Sequence, residues 1–171
     1  MKNKYNYKSL NEGMLYRSAI MGLMQKVEPD DENYKVYEEI IKKEIKVLED
    51  INFDGWMLLL ADVVMVSREI SGFVSAFGSI QNSLTAYVLG IVDIYDFDED
   101  NFKNFLPFVK NPTVNIVICS YANNGCMGFV KFKYKKLIKK TKKRSITFNE
   151  NLKIKFIDLG IDISRKDEDE F

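Results

Sequence analysis

Apolar residues recur at helical spacing through the first half of the chain and at alternate positions through parts of the last third. That pattern predicts helices first and strands afterwards. Ser9-Leu10-Asn11-Glu12 fits a capping box, and Leu15, Ala19 and Leu23 continue from it on one helical face. Pro29-Asp30-Asp31 opens a second helix, with Tyr34, Tyr37, Ile41, Ile45 and Leu48 along one side. A third, strongly apolar helix is expected from about Trp56 to Ile70, stopped by Ser71-Gly72. Phe73–Phe77 reads as a short extended piece followed by a Gly78-Ser79 turn. A fourth helix carrying Ile80, Leu84, Tyr87 and Val88 then ends at Gly90.

The second half changes character. Asp93–Asp100 is an acidic loop, and Phe102–Phe108 a short aromatic segment. Thr113–Cys119 is β-branched and apolar, the mark of a buried strand. Asn123-Asn124-Gly125 is a hairpin signal, after which Val130, Phe132 and Tyr134 alternate with Lys131 and Lys133. Ile146–Phe148 and Leu152–Phe156 form two more alternating runs around Asn149-Glu150-Asn151. The expected class is α+β, with N-terminal helices packed on a mixed or antiparallel sheet. Residues 1–164 are expected to form one domain, with 1–8 a loose start and 165–171 an acidic tail.

Composition narrows the chemistry. The 171 residues are 46% hydrophobic, enough for one domain with a real core. Formal net charge is zero, so no whole-protein field draws nucleic acid. The basic, polar N-terminus has no apolar leader, and Trp56–Val66 is interrupted by Asp62 and too short to span a bilayer. A cytoplasmic protein without membrane contact is expected, with Cys119 and Cys126 as reduced core thiols. There is no histidine, which removes Ser-His and Cys-His nucleophiles and histidine-ligated zinc. No cofactor is expected, and oligomeric state is left open.

Three segments carry candidate chemistry. Gly78 and Ser79 place backbone N–H groups and a hydroxyl where a helix begins, an arrangement that binds phosphate. The same residues also read as a plain helix cap. Asp93, Asp96, Asp98, Glu99 and Asp100 are spaced D-x-x-D-x-D-E-D, without the central glycine and terminal glutamate of a calcium loop. They are read as a solvated loop. The stretch Lys131, Lys133, Lys135, Lys136, Lys139, Lys140, Lys142, Lys143 and Arg144 holds nine basic residues and no acid. It is read either as a track for a phosphate backbone or as a solvated, charged edge. Folding back of the acidic tail Asp167–Glu170 onto it would weaken nucleic-acid affinity.

A longer likeness adds to these fragments. Ser83-Leu84-Thr85-Ala86-Tyr87-Val88-Leu89-Gly90-Ile91 resembles the S-L-V-A-Y-x-L-G-I run of bacterial replicative DNA polymerase III alpha subunits, where it follows a G-P-G-R-G-S phosphate loop. Glu38–Leu48 with Phe53 is similar to that family's E-R-L-x-x-E-L-x-x-I helix and its G-F-x-x-Y-F sequel. Trp56–Val64 resembles the apolar helix before the loop, and Phe102–Pro107 the F-E-R-F-L-N-P segment. Pro112–Ile118 stands where the family has P-D-I-D-x-D-F. The likeness runs in order over about residues 10–119 and thins beyond 120. There, Ile146-Thr147-Phe148 and Lys153–Gly160 resemble I-T-F-G-T and K-A-x-I-R-D-V-G. Between those two stretches the family has a helix, whereas the residues here read as a hairpin.

The resemblance implies a polymerase-palm fold, and its departures imply lost catalysis. Polymerase chemistry needs paired carboxylates that hold two magnesium ions. The family's aspartates fall on Thr113, Asn115 and Val117, and its loop arginine on Phe77. The flanking glycines fall on Val74 and Ala76, so Gly78 and Ser79 alone remain of the phosphate loop. The third metal-binding carboxylate is expected beyond the end of this sequence. The implied function is a non-catalytic palm-like protein of DNA replication, binding nucleotide, DNA or replication proteins. The alternative is a small protein-interaction factor, of the mobile-element inhibitor or immunity type, retaining only the scaffold. A third reading is a split subunit that borrows carboxylates from a partner.

Overall fold

A computed structural model describes residues 13–149 and 152–159. The capping box, the loose start and the acidic tail lie outside the described residues. Helix α1 spans Met14–Lys26 and buries Leu15, Ala19, Gly22 and Leu23. Helix α2 spans Tyr34–Asp50, starting later than Pro29-Asp30-Asp31 suggests. Asp31 instead closes a turn, its Oδ1 accepting from the Asn33 N–H at 2.7 Å. Helix α3, Asp54–Ser71, buries Trp56, Met57, Leu60, Val63 and Val64, and stops where the Gly72 N–H donates to the Arg68 carbonyl.

Strand β1 is Val74–Phe77 and is followed by a 3-10 turn at Ser79–Asn82. Helix α4 is short, Leu84–Val88, and helix α5 covers Asn101–Lys110. Strand β2 is Thr113–Ile118, helix α6 is Asn123–Lys133, and β3, β4 and β5 are Ile138–Lys142, Ser145–Phe148 and Lys153–Asp158. The five strands form one sheet in the order β1-β2-β5-β4-β3. β2 and β5 run parallel and the other pairs antiparallel, so the sheet is mixed. This is the α+β architecture expected of the sequence.

One buried cluster joins both layers, from Leu15 to Phe156. The Trp56 ring lies 5.6 Å from that of Phe148, and Phe53 meets Phe108 edge to face at 5.6 Å. Contacts of this kind fix the helices on one side of the sheet. The two cysteines are free and buried.

Three local expectations are corrected, and the Phe102–Phe108 segment gains an element. The segment after Asn123-Asn124-Gly125 is helix α6, not a hairpin and strand. Its buried residues are Cys126, Met127 and Val130, a helical set, while Phe132 is 89% exposed. The alternation of Val130, Phe132 and Tyr134 therefore had no common face to serve. The helix is tied to α3 at its C-terminal end, where Tyr134 Oη donates to Asp62 and Lys133 pairs with the same carboxylate at 2.7 Å. Phe102–Phe108 likewise lies in a helix, burying Phe105 and Phe108 one turn apart. The expected fourth helix is broken at Ser83, whose extended backbone separates the 3-10 turn from α4. Finally, β2 is buried on one face only, with Val114, Ile116 and Ile118 inside and Thr113, Asn115 and Val117 half-buried.

Candidate nucleic-acid interface

Alternation assigns each strand residue to one face of the sheet. Val74, Ala76, Val114, Ile116, Ile118, Ile146, Phe148, Ile154 and Phe156 are buried beneath the helices. The opposite face is assembled by register. One row across the sheet reads Phe77, Asn115, Lys155, Ser145, Lys142. The next reads Thr113, Lys153, Thr147, Lys140. Ser75, Val117 and Ile157 complete the face at one corner. The strands contribute four lysines and no acid to this face, and none of the four is ion-paired among the described residues. Lys140 and Lys142 are exposed, and Lys153 and Lys155 half-buried.

Thr113 and Asn115 therefore stand directly beside Lys153 and Lys155 on the parallel neighbour strand. Neighbouring strands lie roughly 4.8 Å apart, so each ammonium group works within reach of the β2 side chains. A hydroxyl, an amide and the isopropyl group of Val117 do not make a site for two divalent cations, and adjacent ammonium groups oppose one. The residues present do not fit the two-metal centre that the resemblance implies. What they do fit is an anion. Among the described residues no group of three or more cysteine, aspartate and glutamate side chains converges to hold a metal.

Gly78 and Ser79 sit on the rim of this face. The exposed Gly78 lies against Thr113, close enough that a Cβ would stand 3.4 Å from the Thr113 carbonyl oxygen. Its φ of 122° and ψ of −168° belong to a region that essentially only glycine occupies. The turn and the β2 strand thus border the same surface. Ser79 opens only a four-residue 3-10 turn, with Gly78 in the cap position.

The basic stretch is dispersed. Lys131 and Lys133 end α6, Lys135 and Lys136 lie in the next turn, and Lys139, Lys140 and Lys142 are on the edge strand β3. Lys143 and Arg144 form the turn into β4, where Arg144 pairs with Asp158 at 3.3 Å. Only Lys140 and Lys142 register with the open face. Lys153 and Lys155 join them there, although the sequence reading passed over both. Their signal was present in the Leu152–Phe156 alternation, which puts two lysines on one side of a strand.

A second functional residue escaped the sequence reading altogether. The true N-terminus of α4 is occupied by Glu44 of α2, which is completely buried. Its Oε1 accepts from the Leu84 N–H at 2.9 Å, and its Oε2 from the Thr85 N–H and the Ser83 hydroxyl, both at 2.8 Å. Ser83 Oγ in turn accepts from the Ala86 N–H at 3.0 Å. The anion-binding potential of this helix start is thus satisfied from within. Burial pushes the Glu44 carboxyl above the usual glutamate range, and these hydrogen bonds oppose that rise.

Elsewhere, a cavity of about 250 Å³ lies among α1, α2, α4 and the loop after α4, with Tyr37, Tyr87, Tyr95 and Phe97 in its wall. Lys26 stands over the Tyr87 ring at 4.3 Å. None of its lining residues is on a strand. In the acidic loop, Asp93 pairs with Arg68 at 2.9 Å and Asp98 accepts from the Asp100 N–H at 2.7 Å. No helix among the described residues is long and apolar enough to cross a membrane.

Helices over one face of a mixed five-stranded sheet, with the other face open, define a polymerase-like α+β domain. The chain matches the family described as "Bacterial DNA polymerase III alpha NTPase domain" over residues 11–160, and it belongs to that family. It is 29% identical over 148 residues to the DNA polymerase III subunit alpha of Helicobacter pylori strain J99, covering 82% of this chain and 12% of that protein. The corresponding subunit of Helicobacter pylori strain 26695 is 29% identical over 147 residues, with the same shares covered. The chain thus spans about an eighth of the length of these relatives, 12% in each case. The matched range takes in α6 and the three strands that follow it.

Proposed function

We propose that this chain is a non-catalytic palm-type module of DNA replication that binds nucleic acid through the open face of its sheet. The observation that carries the reading is the pairing of Thr113 with Lys153 and of Asn115 with Lys155. Where the family likeness calls for carboxylates that gather cations, this face presents ammonium groups that gather phosphates. Family membership supports the association with replication, and the charge of the face supports binding without polymerisation. Gly78 and Ser79 supply the rim of the same surface, and a cytoplasmic setting follows from the replicative role.

Primer extension tests the catalytic half. With magnesium or manganese and all four deoxynucleotides, no extension is expected from the chain itself. None is expected from Asn115→Asp either, because the Lys155 ammonium beside that position neutralises a lone carboxylate. Template-dependent extension by the unaltered protein would sink this half of the reading. Calorimetry with DNA at low salt tests the other half, for which measurable heat is expected. An absence of heat would remove the binding function.

A further inference from the structure

Resting on that reading, we infer that the open face takes a single-stranded polynucleotide, with Phe77 stacking a base while Lys155, Lys153, Lys142 and Lys140 hold its phosphates. Phe77 is 43% exposed on an edge strand, in register with Asn115 and therefore on the same face as the lysines. An exposed aromatic ring beside a row of cations is the pairing that single strands use, because every unpaired base offers a π-face. A duplex keeps its bases stacked on one another and gives Phe77 nothing to hold.

The dimensions agree. From Phe77 on β1 to Lys142 on β3 the row crosses four strand spacings, roughly 19 Å. Along it the chemistry runs from an aromatic ring through the Asn115 amide and the Lys155 ammonium to the Ser145 hydroxyl and Lys142. Amide and hydroxyl groups add hydrogen bonds to phosphate and base edges without adding charge. The face needs no metal to bind, so its affinity is set by the lysines and by salt.

Fluorescence anisotropy on the full chain tests the assignment, with a labelled 20-nucleotide single strand and the corresponding duplex, in EDTA at about 50 mM salt. The single strand is expected to bind at least about tenfold more tightly than the duplex. Lys153→Gln with Lys155→Gln is expected to weaken it about tenfold and to flatten the slope of log K against log salt by about 1.4, or 0.7 for each lost contact. Phe77→Ala is expected to weaken single-strand binding about five- to hundredfold while leaving that slope unchanged. Lys131→Gln with Lys135→Gln, off the face, is expected to change affinity less than about twofold. Thermal melting of each variant verifies that it is folded.

Equal binding of strand and duplex, both weakened by the Lys153 and Lys155 substitutions, would overturn the single-strand assignment and leave the function proposed above standing. Equal losses from the Lys131 and Lys135 pair would overturn the choice of face. Binding of neither probe would overturn the function itself.

Discussion

Glu44→Ala is expected to lower the free energy of unfolding by about 3–5 kcal/mol, read as a fall in the urea midpoint at unchanged slope. The carboxylate is the acceptor for the Leu84 and Thr85 N–H groups and for the Ser83 hydroxyl. Its removal leaves three donors in a dry interior, each costing about 1–3 kcal/mol when unpartnered. Relief of the desolvated charge offsets part of that loss. The lost cap also frees α4 from α2, and α4 has only five residues with which to hold itself helical. A change below about 1 kcal/mol would show that these donors find other partners, and would end the view of Glu44 as the organising cap.

The same residue predicts a pH dependence. Its folded pKa is raised, chiefly by burial. Below the ordinary glutamate pKa of about 4.3 both folded and unfolded chains hold the proton, and the contribution to stability is complete. As pH rises, the unfolded chain releases its proton first, so this contribution falls until the folded carboxyl has ionised too. Glu44→Gln removes that slope. The Gln variant should therefore lose least, relative to the parent, at the upper end of this window and most at its acid end. A difference that runs the other way would show that the hydrogen bonds outweigh burial.

Gly22→Ala is expected to destabilise by about 2–4 kcal/mol, again in urea. An added methyl would stand 2.0 Å from the Val88 carbonyl oxygen and 2.8 Å from its carbon. Helices α1 and α4 would have to part by more than an ångström, loosening the seat of Leu23 and Ala86 as well. Gly128→Ala is the control, because nothing lies within 4 Å of a Cβ there. In the middle of α6 that change is expected to stabilise by up to about 1 kcal/mol through helix propensity. Equal behaviour of the two variants would show that α1 and α4 do not depend on this close approach.

Helices α2 and α3 were legible because their apolar faces repeat with the helical period, and because Gly72 follows the last apolar turn. Their local signals agree with their tertiary environment. Helix α6 was not legible, because Asn123-Asn124-Gly125 and the alternating lysines favour a hairpin locally. Burial of Cys126, Met127 and Val130 against the rest of the core outweighs that preference. Glu44 left a trace in the sequence, as an acid inside the apolar face formed by Ile41, Ile45 and Leu48. Its partners, however, lie some 40 residues away, and only packing brings them together.

The Gly78-Ser79 turn shows the same division. The glycine stands out from the strand–turn–helix pattern and again from the resemblance, and its backbone angles are ones that essentially only glycine adopts. The helix that was to give it anion-binding strength begins five residues later and is capped by Glu44.

By itself the sequence determined the α+β class, through its periodicity, and the family likeness, through motifs met in order along the chain. That likeness is what implies carboxylates where Thr113, Asn115 and Val117 stand. The tertiary structure alone decided what stands beside those positions. Strands β2 and β5 are separated by helix α6 and a hairpin, and no local pattern records that they pair in parallel. That pairing sets Lys153 and Lys155 against Thr113 and Asn115, and so turns a strand without carboxylates into the centre of a basic face.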